Sequence, residues 1–174
     1  SCLKGFCPSF VTVEGGRLRK GNRNPVTADD FPPLAEPAPA ALAEPCGILV
    51  TGIGGTGVIT IGQIVAMAAH LEGKGVTVLD MSGLAQKYGA VMSHVRIADA
   101  PEKLHTARLD IGGADVVLGC DLVVTGSADA IAKMAPGRTR ALVNATVTPT
   151  AEFVRNPDWR LPGSDLARDI REAC

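Results

Sequence analysis

The sequence predicts an α/β fold: three α/β/α layers around a mostly parallel sheet, entered through a glycine-rich first strand–helix turn. Two observations predict it. "GILVTGIGGTGVITIGQIVAMAAHLEGKGVTVLD", which begins at Gly47, runs from an apolar stretch through a glycine turn and a helix-like segment into a second apolar stretch. Further along, short apolar runs keep alternating with helical spacing, the pattern of strands covered by helices.

Each element has its own reason. "GILVTGIG" reads as a buried strand ending in a tight turn, and "GVITIGQIVAMAAHLEG" as a helix with apolar residues around most of its girth, stopped by Gly73 and Gly75. "VTVLD" is a second buried strand. "MSGLAQKYGAV" is a loop or short helix, and "MSHVRIA" alternates as a strand does. "ADVVLGCD" and "RALVNAT" supply two more strands, with "SADAIAKMA" a helix between them that Pro136-Gly137 ends. "DLARDIREAC" starts as an amphipathic helix capped by Ser164 or Asp165, and the sequence reads as a piece of a larger protein, truncated at its C-terminal end.

Before Cys46 the composition differs. Prolines stand at 25, 32, 33, 37, 39 and 45 among alanines, which makes 25–45 a semi-rigid extended linker. Residues 1–24 hold a close cysteine pair, Cys2 and Cys7, and one short alternating stretch from Phe10 to Val13. The expected organisation is thus 1–24, a linker at 25–45, and an α/β domain over 46–174.

Composition excludes several classes of function. A net charge of −1 argues against a nucleic-acid partner. No apolar run reaches bilayer length and no signal peptide opens the sequence, so the reading is cytoplasmic with no membrane partner. With aromatics at 3% of residues, the core must be built from Val, Ile, Leu, Ala and Met. Five cysteines at this spacing are no secreted disulfide framework, and a close pair points to metal or redox chemistry.

Two motifs carry chemistry. In Gly52–Gly57, Gly52 permits the turn, Gly54 lets a ligand or backbone approach, and Gly57 lets the helix pack close to the sheet. Asp80 ends the next strand, where such folds hold a ribose. By rule this is a dinucleotide-binding fingerprint, and a Rossmann-type domain of an NAD- or FAD-dependent oxidoreductase is one reading; glycine used for steric reasons alone is the other. In the second motif His94 and Arg96 share one face of a strand. They face a ligand, a cofactor or a partner subunit, or else belong to a structural hydrogen-bond network. Nothing resembles a nucleophile–base–acid set, so no catalytic residue is assigned. Cys2 and Cys7 are either half of a cluster site or two free thiols.

In this order, "SCLKGFCPSFVTVEGG", the Gly52–Gly57 loop and "LAQKYGAVMSHVRIA" resemble the 2-oxoacid:ferredoxin oxidoreductases, and within them the long fused indolepyruvate ferredoxin oxidoreductases of bacteria. The resemblance covers nearly the whole chain and departs at Tyr88, where a second glycine is expected before Gly89. It implies a gamma-type domain over 46–174 and the end of a ferredoxin-like segment over 1–24. The complete enzyme would oxidatively decarboxylate an aryl 2-oxoacid such as indolepyruvate to its acyl-CoA, using thiamine diphosphate, iron–sulfur clusters and coenzyme A and passing electrons to ferredoxin. Cys2 and Cys7 would be cluster ligands; Gly52, Gly54, Gly55, Gly57, His94 and Arg96 would face the cofactor side. Partners would be ferredoxin, other domains of the same enzyme and a second copy. These 174 residues alone would hold no cofactor and have no activity. In this family the glycine loop does not imply NAD, because ferredoxin takes the electrons.

Overall fold

A computed structural model describes residues 14–17, 33, 35–36, 38, 41–83, 89–146, 158 and 162–174. The chain divides into two units, Ser1–Pro39 and Ala40–Cys174. Cys2, Cys7, the Phe10–Val13 stretch and Tyr88 lie outside the described residues.

The second unit is an α/β domain built on five strands: β1 (Cys46–Ile53), β2 (Gly75–Ser82), β3 (Ala90–Ala98), β4 (Val116–Gly119) and β5 (Arg140–Val143). Their order in the sheet is β2-β3-β1-β4-β5. The sheet is mixed, which corrects the mostly parallel expectation. β1 pairs in parallel with β4, and β4 with β5, but β3 runs antiparallel to both β1 and β2. The link 83–89 between β2 and β3 explains this, because a parallel return needs about a dozen residues or more. β3 therefore folds straight back and inserts between β1 and β2. β2 becomes an edge strand and is only half buried, not the buried strand its apolar run suggests.

Helix α1 (Val58–Leu71) covers one face. It ends in a Schellman arrangement: left-handed Gly73 donates its N–H to His70 O, and Lys74 N–H reaches Ala69 O. The other face carries two short helices, α2 (Leu122–Thr125) and α3 (Ala128–Ile131), and the amphipathic α4 (Gly163–Ala173). α2 is capped by the Asp121 carboxylate, which accepts from Val124 N–H at 2.7 Å. The sequence pattern missed α2, and the helix expected over "SADAIAKMA" is only one turn long. Pro162, not Ser164 or Asp165, stands at the N-cap of α4, and no side chain caps it.

The core lies on this second face, where Leu49, Leu109, Val117, Leu122, Met134 and Ile170 pack together. A buried hydroxyl pair, Thr51 and Thr125 at 2.8 Å, ties α2 to the centre of the sheet.

Candidate functional site

β1 runs into the glycine turn at the edge where the parallel strands end. Thr56 closes the turn: its N–H and its hydroxyl both donate to Ile53 O, at 3.1 and 2.7 Å. Gly54 N–H donates to Gly89 O at 2.8 Å and so carries the β1–β3 pairing beyond Ile53. Gly55 and Gly57 have φ of 98° and 86°, the left-handed region that favours glycine. Gly57 is the N-cap of α1, and no side chain caps this helix. The first-turn N–H groups of α1 thus point out of the turn as potential donors to an acidic or phosphate group.

The glycines do different jobs from those the spacing suggests. A Cβ on Gly57 would meet nothing within 4 Å, so Gly57 is not where helix and sheet pack tightly. That contact falls on Gly62, whose Cβ would lie 2.3 Å from Ser93 Oγ, and on Gly52, whose Cβ would lie 2.5 Å from Thr56 Oγ1 and 2.9 Å from Val58. Gly57 is required by backbone conformation and Gly52 by space.

Beside the turn stand residues that motif reading passed over. β1 and β4 are adjacent and parallel, yet the helices that follow them cover opposite faces. In open α/β sheets such a switch point opens a crevice beyond the strand ends. At that end of the sheet stand the turn, Cys120 and Asp121 after β4, and Asn144 after β5. Cys120 N–H donates to Thr51 O at 2.8 Å, and Asn144 Nδ2 to Cys120 O at 3.4 Å. Burial first, and then the Asp121 carboxylate, push the Cys120 thiol pKa up, which keeps it a neutral thiol. Asp121 is 2% exposed, and its second oxygen has no partner. No local sequence signal marks these residues; they gather only because β4 and β5 end level with β1.

His94 and Arg96 do share one face of β3, but they are not at the glycine turn. His94 is opposite Leu49 and Arg96 opposite Gly47, near the start of β1. The five residue steps from Leu49 to Gly54 put His94 roughly 16 Å from the turn. Both lie on the face away from α1. His94 is 1% exposed and its Nδ1 accepts from Leu109 N–H at 3.2 Å. Burial, then the charges of Lys133 and Arg108, lower its pKa and keep the ring neutral. Arg96 Nη1 donates to Thr106 Oγ1 at 2.6 Å.

Asp80 does not complete a dinucleotide site. β3 separates β1 from β2, so the acid is two strand spacings away, about 10 Å, where the fingerprint needs one. Asp80 instead accepts from Gln63 Nε2 on α1 at 3.3 Å. Cys46, Cys120 and Cys174 are all free thiols, and among the described residues no group of three or more His, Cys, Asp or Glu side chains could hold a metal ion. These residues do not fit an iron–sulfur cluster. No helix among them is long and apolar enough to cross a membrane.

Residues 47–173 match the family described as pyruvate ferredoxin/flavodoxin oxidoreductase. The chain belongs to that family. Similar proteins include the "Indolepyruvate oxidoreductase subunit IorB" of Archaeoglobus fulgidus, 39% identical over 42% of this chain and 35% of that one. Its namesake in Pyrococcus horikoshii is 34% identical over 44% and 36%. Among solved structures, the pyruvate oxidoreductase subunit PORC of Thermotoga maritima is 26% identical, with a TM-score of 0.47 over 64% of this chain and 55% of that one. The chain spans about a third of the length of the first two relatives. Residues 47–173 thus form the part of this chain that belongs to the oxidoreductase family, and the free-standing Rossmann reading is not favoured.

Proposed function

We propose that this chain is the gamma-type domain of a 2-oxoacid:ferredoxin oxidoreductase acting on an aryl 2-oxoacid such as indolepyruvate. The family match over 47–173, with relatives named as indolepyruvate oxidoreductase subunits, carries the reading. The complete enzyme would cleave the carboxyl group of the 2-oxoacid as carbon dioxide, join the acyl group to the thiol of coenzyme A, and pass the released electrons singly to ferredoxin. Thiamine diphosphate and iron–sulfur clusters would supply that chemistry from outside the described residues. Cys2 and Cys7, in 1–24, would ligate a cluster, and 25–45 would be the linker into the α/β domain.

In this assembly the domain's role is to bind and orient. The turn Gly52, Gly54, Gly55 and Gly57 would face coenzyme A, with main-chain N–H groups toward its phosphates. A stripe on α1, formed by Ile64, Met67 and Leu71 and 63%, 57% and 78% exposed, would pack against another domain of the same enzyme. The relatives' description as subunits supports that partner.

The test is anaerobic turnover by the assembled enzyme that contains this chain, with indolepyruvate, pyruvate and 2-oxoglutarate as competing substrates. Ferredoxin reduction that needs coenzyme A and favours indolepyruvate is expected. Reduction that needs NAD, or an NAD isotherm on the 174-residue chain, would overturn the reading.

A further inference from the structure

We propose that Thr77, His94 and Arg96 form a binding site for a small oxyanion, a carboxylate or a phosphate group, on the face of the sheet away from α1. The inference does not depend on the family reading. It starts from where unpaired polar atoms fall. Among the described residues, the buried side-chain nitrogens and oxygens without a partner are Thr77 Oγ1, Ser93 Oγ, His94 Nε2, Arg96 Nε and Asp121 Oδ2. Leaving such a group unpaired is costly, so they are rare and call for an explanation. Three of these five belong to one patch. Thr77 is directly opposite Arg96 across β2 and β3, and His94 is two residues along β3 on the same face. Opposite residues have Cβ atoms about 5 Å apart.

All three atoms can act as donors. Because His94 Nδ1 accepts from Leu109 N–H, the proton of the neutral ring is on Nε2. Arg96 is held by Nη1 on Thr106, which leaves Nε–H free. Thr77 contributes a hydroxyl. The Thr77 oxygen can also accept, but the patch holds two N–H donors and one O–H; a water molecule would add two further protons, whereas an oxyanion only accepts. Charge favours the oxyanion too. Arg96 is part of the patch, and the charges of Lys133 and Arg108 act on His94. The opposing carboxylate, Asp115, is already engaged by Arg138 at 2.7 Å and by Gly47 N–H at 2.7 Å. None of the three donor atoms touches solvent, so the ligand must be small. The segment Thr106–Arg108 beside Arg96, in which Thr106 and Arg108 are exposed, must lift to admit it.

The experiment follows the side-chain N–H resonances of His94 and Arg96 in the isotope-labelled 174-residue chain. Inorganic phosphate and acetate are titrated separately at fixed ionic strength, with chloride as the control ion. A saturable shift with one oxyanion and not with chloride is expected, and the oxyanion that saturates first identifies the chemistry. Thr77→Val should fold, since the lost hydroxyl has no protein partner and valine suits a strand. It should weaken the ion by about tenfold, as loss of a hydrogen bond to a charged group does. Arg96→Lys keeps the charge but loses the Nε–H, and should weaken it as well. Two results would overturn the proposal: no saturation with either oxyanion, or equal affinity in Thr77→Val and the parent. Either would mean that the unpaired donors are only a cost of the fold.

Discussion

The two faces of the sheet are built on different principles. On the face away from α1, large side chains interlock: Leu49, Leu109, Val117, Leu122, Met134 and Ile170 form a closed core. On the α1 face, small residues bring the backbones together. Gly62 sits over Ser93, and Ala66 and Ala69 are buried while the larger Ile64, Met67 and Leu71 point outward. A helix that turns its small residues inward approaches closely but buries little area. One face therefore depends on volume filled and the other on volume left out, and substitutions should fail in opposite directions.

The largest effect belongs to the filled face. Leu49 is 0% exposed, and Leu49→Ala should cost about 2–5 kcal/mol through lost burial and the cavity that remains. Urea unfolding followed by circular dichroism reads it as a lower midpoint. A change no larger than that of a surface substitution would mean the core is loose and the contrast false.

The close-packed face answers to added volume, and here two glycines can be told apart. Gly52→Ala should cost about 1–3 kcal/mol by overpacking, because the new Cβ would be 2.5 Å from Thr56 Oγ1 and 3.0 Å from Cys120 Cβ. Gly57→Ala should cost about 1–2 kcal/mol through its left-handed φ of 86° alone. With nothing within 4 Å of that Cβ, Gly57→Leu should melt close to Gly57→Ala. A much lower melting temperature for the leucine variant would restore tight packing at Gly57 and remove the distinction.

These glycines also mark how far the sequence could be read. The strand, turn and helix from Gly47 to Leu71 are legible because apolar period and glycine punctuation are local signals. What glycine is for at each position is not local: Gly57 and Gly62 look alike in a string, and only the opposing Ser93 separates them. The strand order was hidden for the same reason. A βαβ pattern is satisfied whether the second strand lies beside the first or one place away, and the short 83–89 link decides it. The pairing of His94 and Arg96 on one face was legible from their spacing. Their distance from the turn, and the neighbourhood of Cys120, Asp121 and Asn144, depend on which strands end together.

Acid should act first on the filled face. His94 is buried neutral there, with its pKa below the ordinary 6.5. A group whose folded pKa is depressed contributes stability that is complete above the unfolded value and is lost as pH falls below it, because the unfolded chain binds the proton more readily. Unfolding midpoints should thus hold steady above about pH 6.5 and decline below it. Asp115 acts lower on the scale. Burial would raise its pKa, but the Arg138 hydrogen bond, the Gly47 N–H and the nearby charges outweigh burial and bring it below the ordinary 3.8. Its contribution is therefore lost only below that value. His94→Gln should flatten the upper part of the decline and leave the lower part. A midpoint that is flat through the histidine range in the parent chain would show that His94 charges without cost.

The smallest effect is expected where the largest exposed apolar side chains are. Ile64 and Leu71 are 63% and 78% exposed on the outer side of α1, so they lose little water contact on folding and little is lost when they are cut back. Alanine is also the better helix former, and replacing β-branched Ile64 recovers part of what burial it had. Ile64→Ala and Leu71→Ala should each stay within about 0.5 kcal/mol of the parent. Unfolding at two well-separated protein concentrations provides the check. A loss approaching that of Leu49→Ala, present only at the higher concentration, would mean the stripe is already covered by a second copy in solution. The same loss at both concentrations would mean that α1 is buried within the chain, and the two faces would no longer differ.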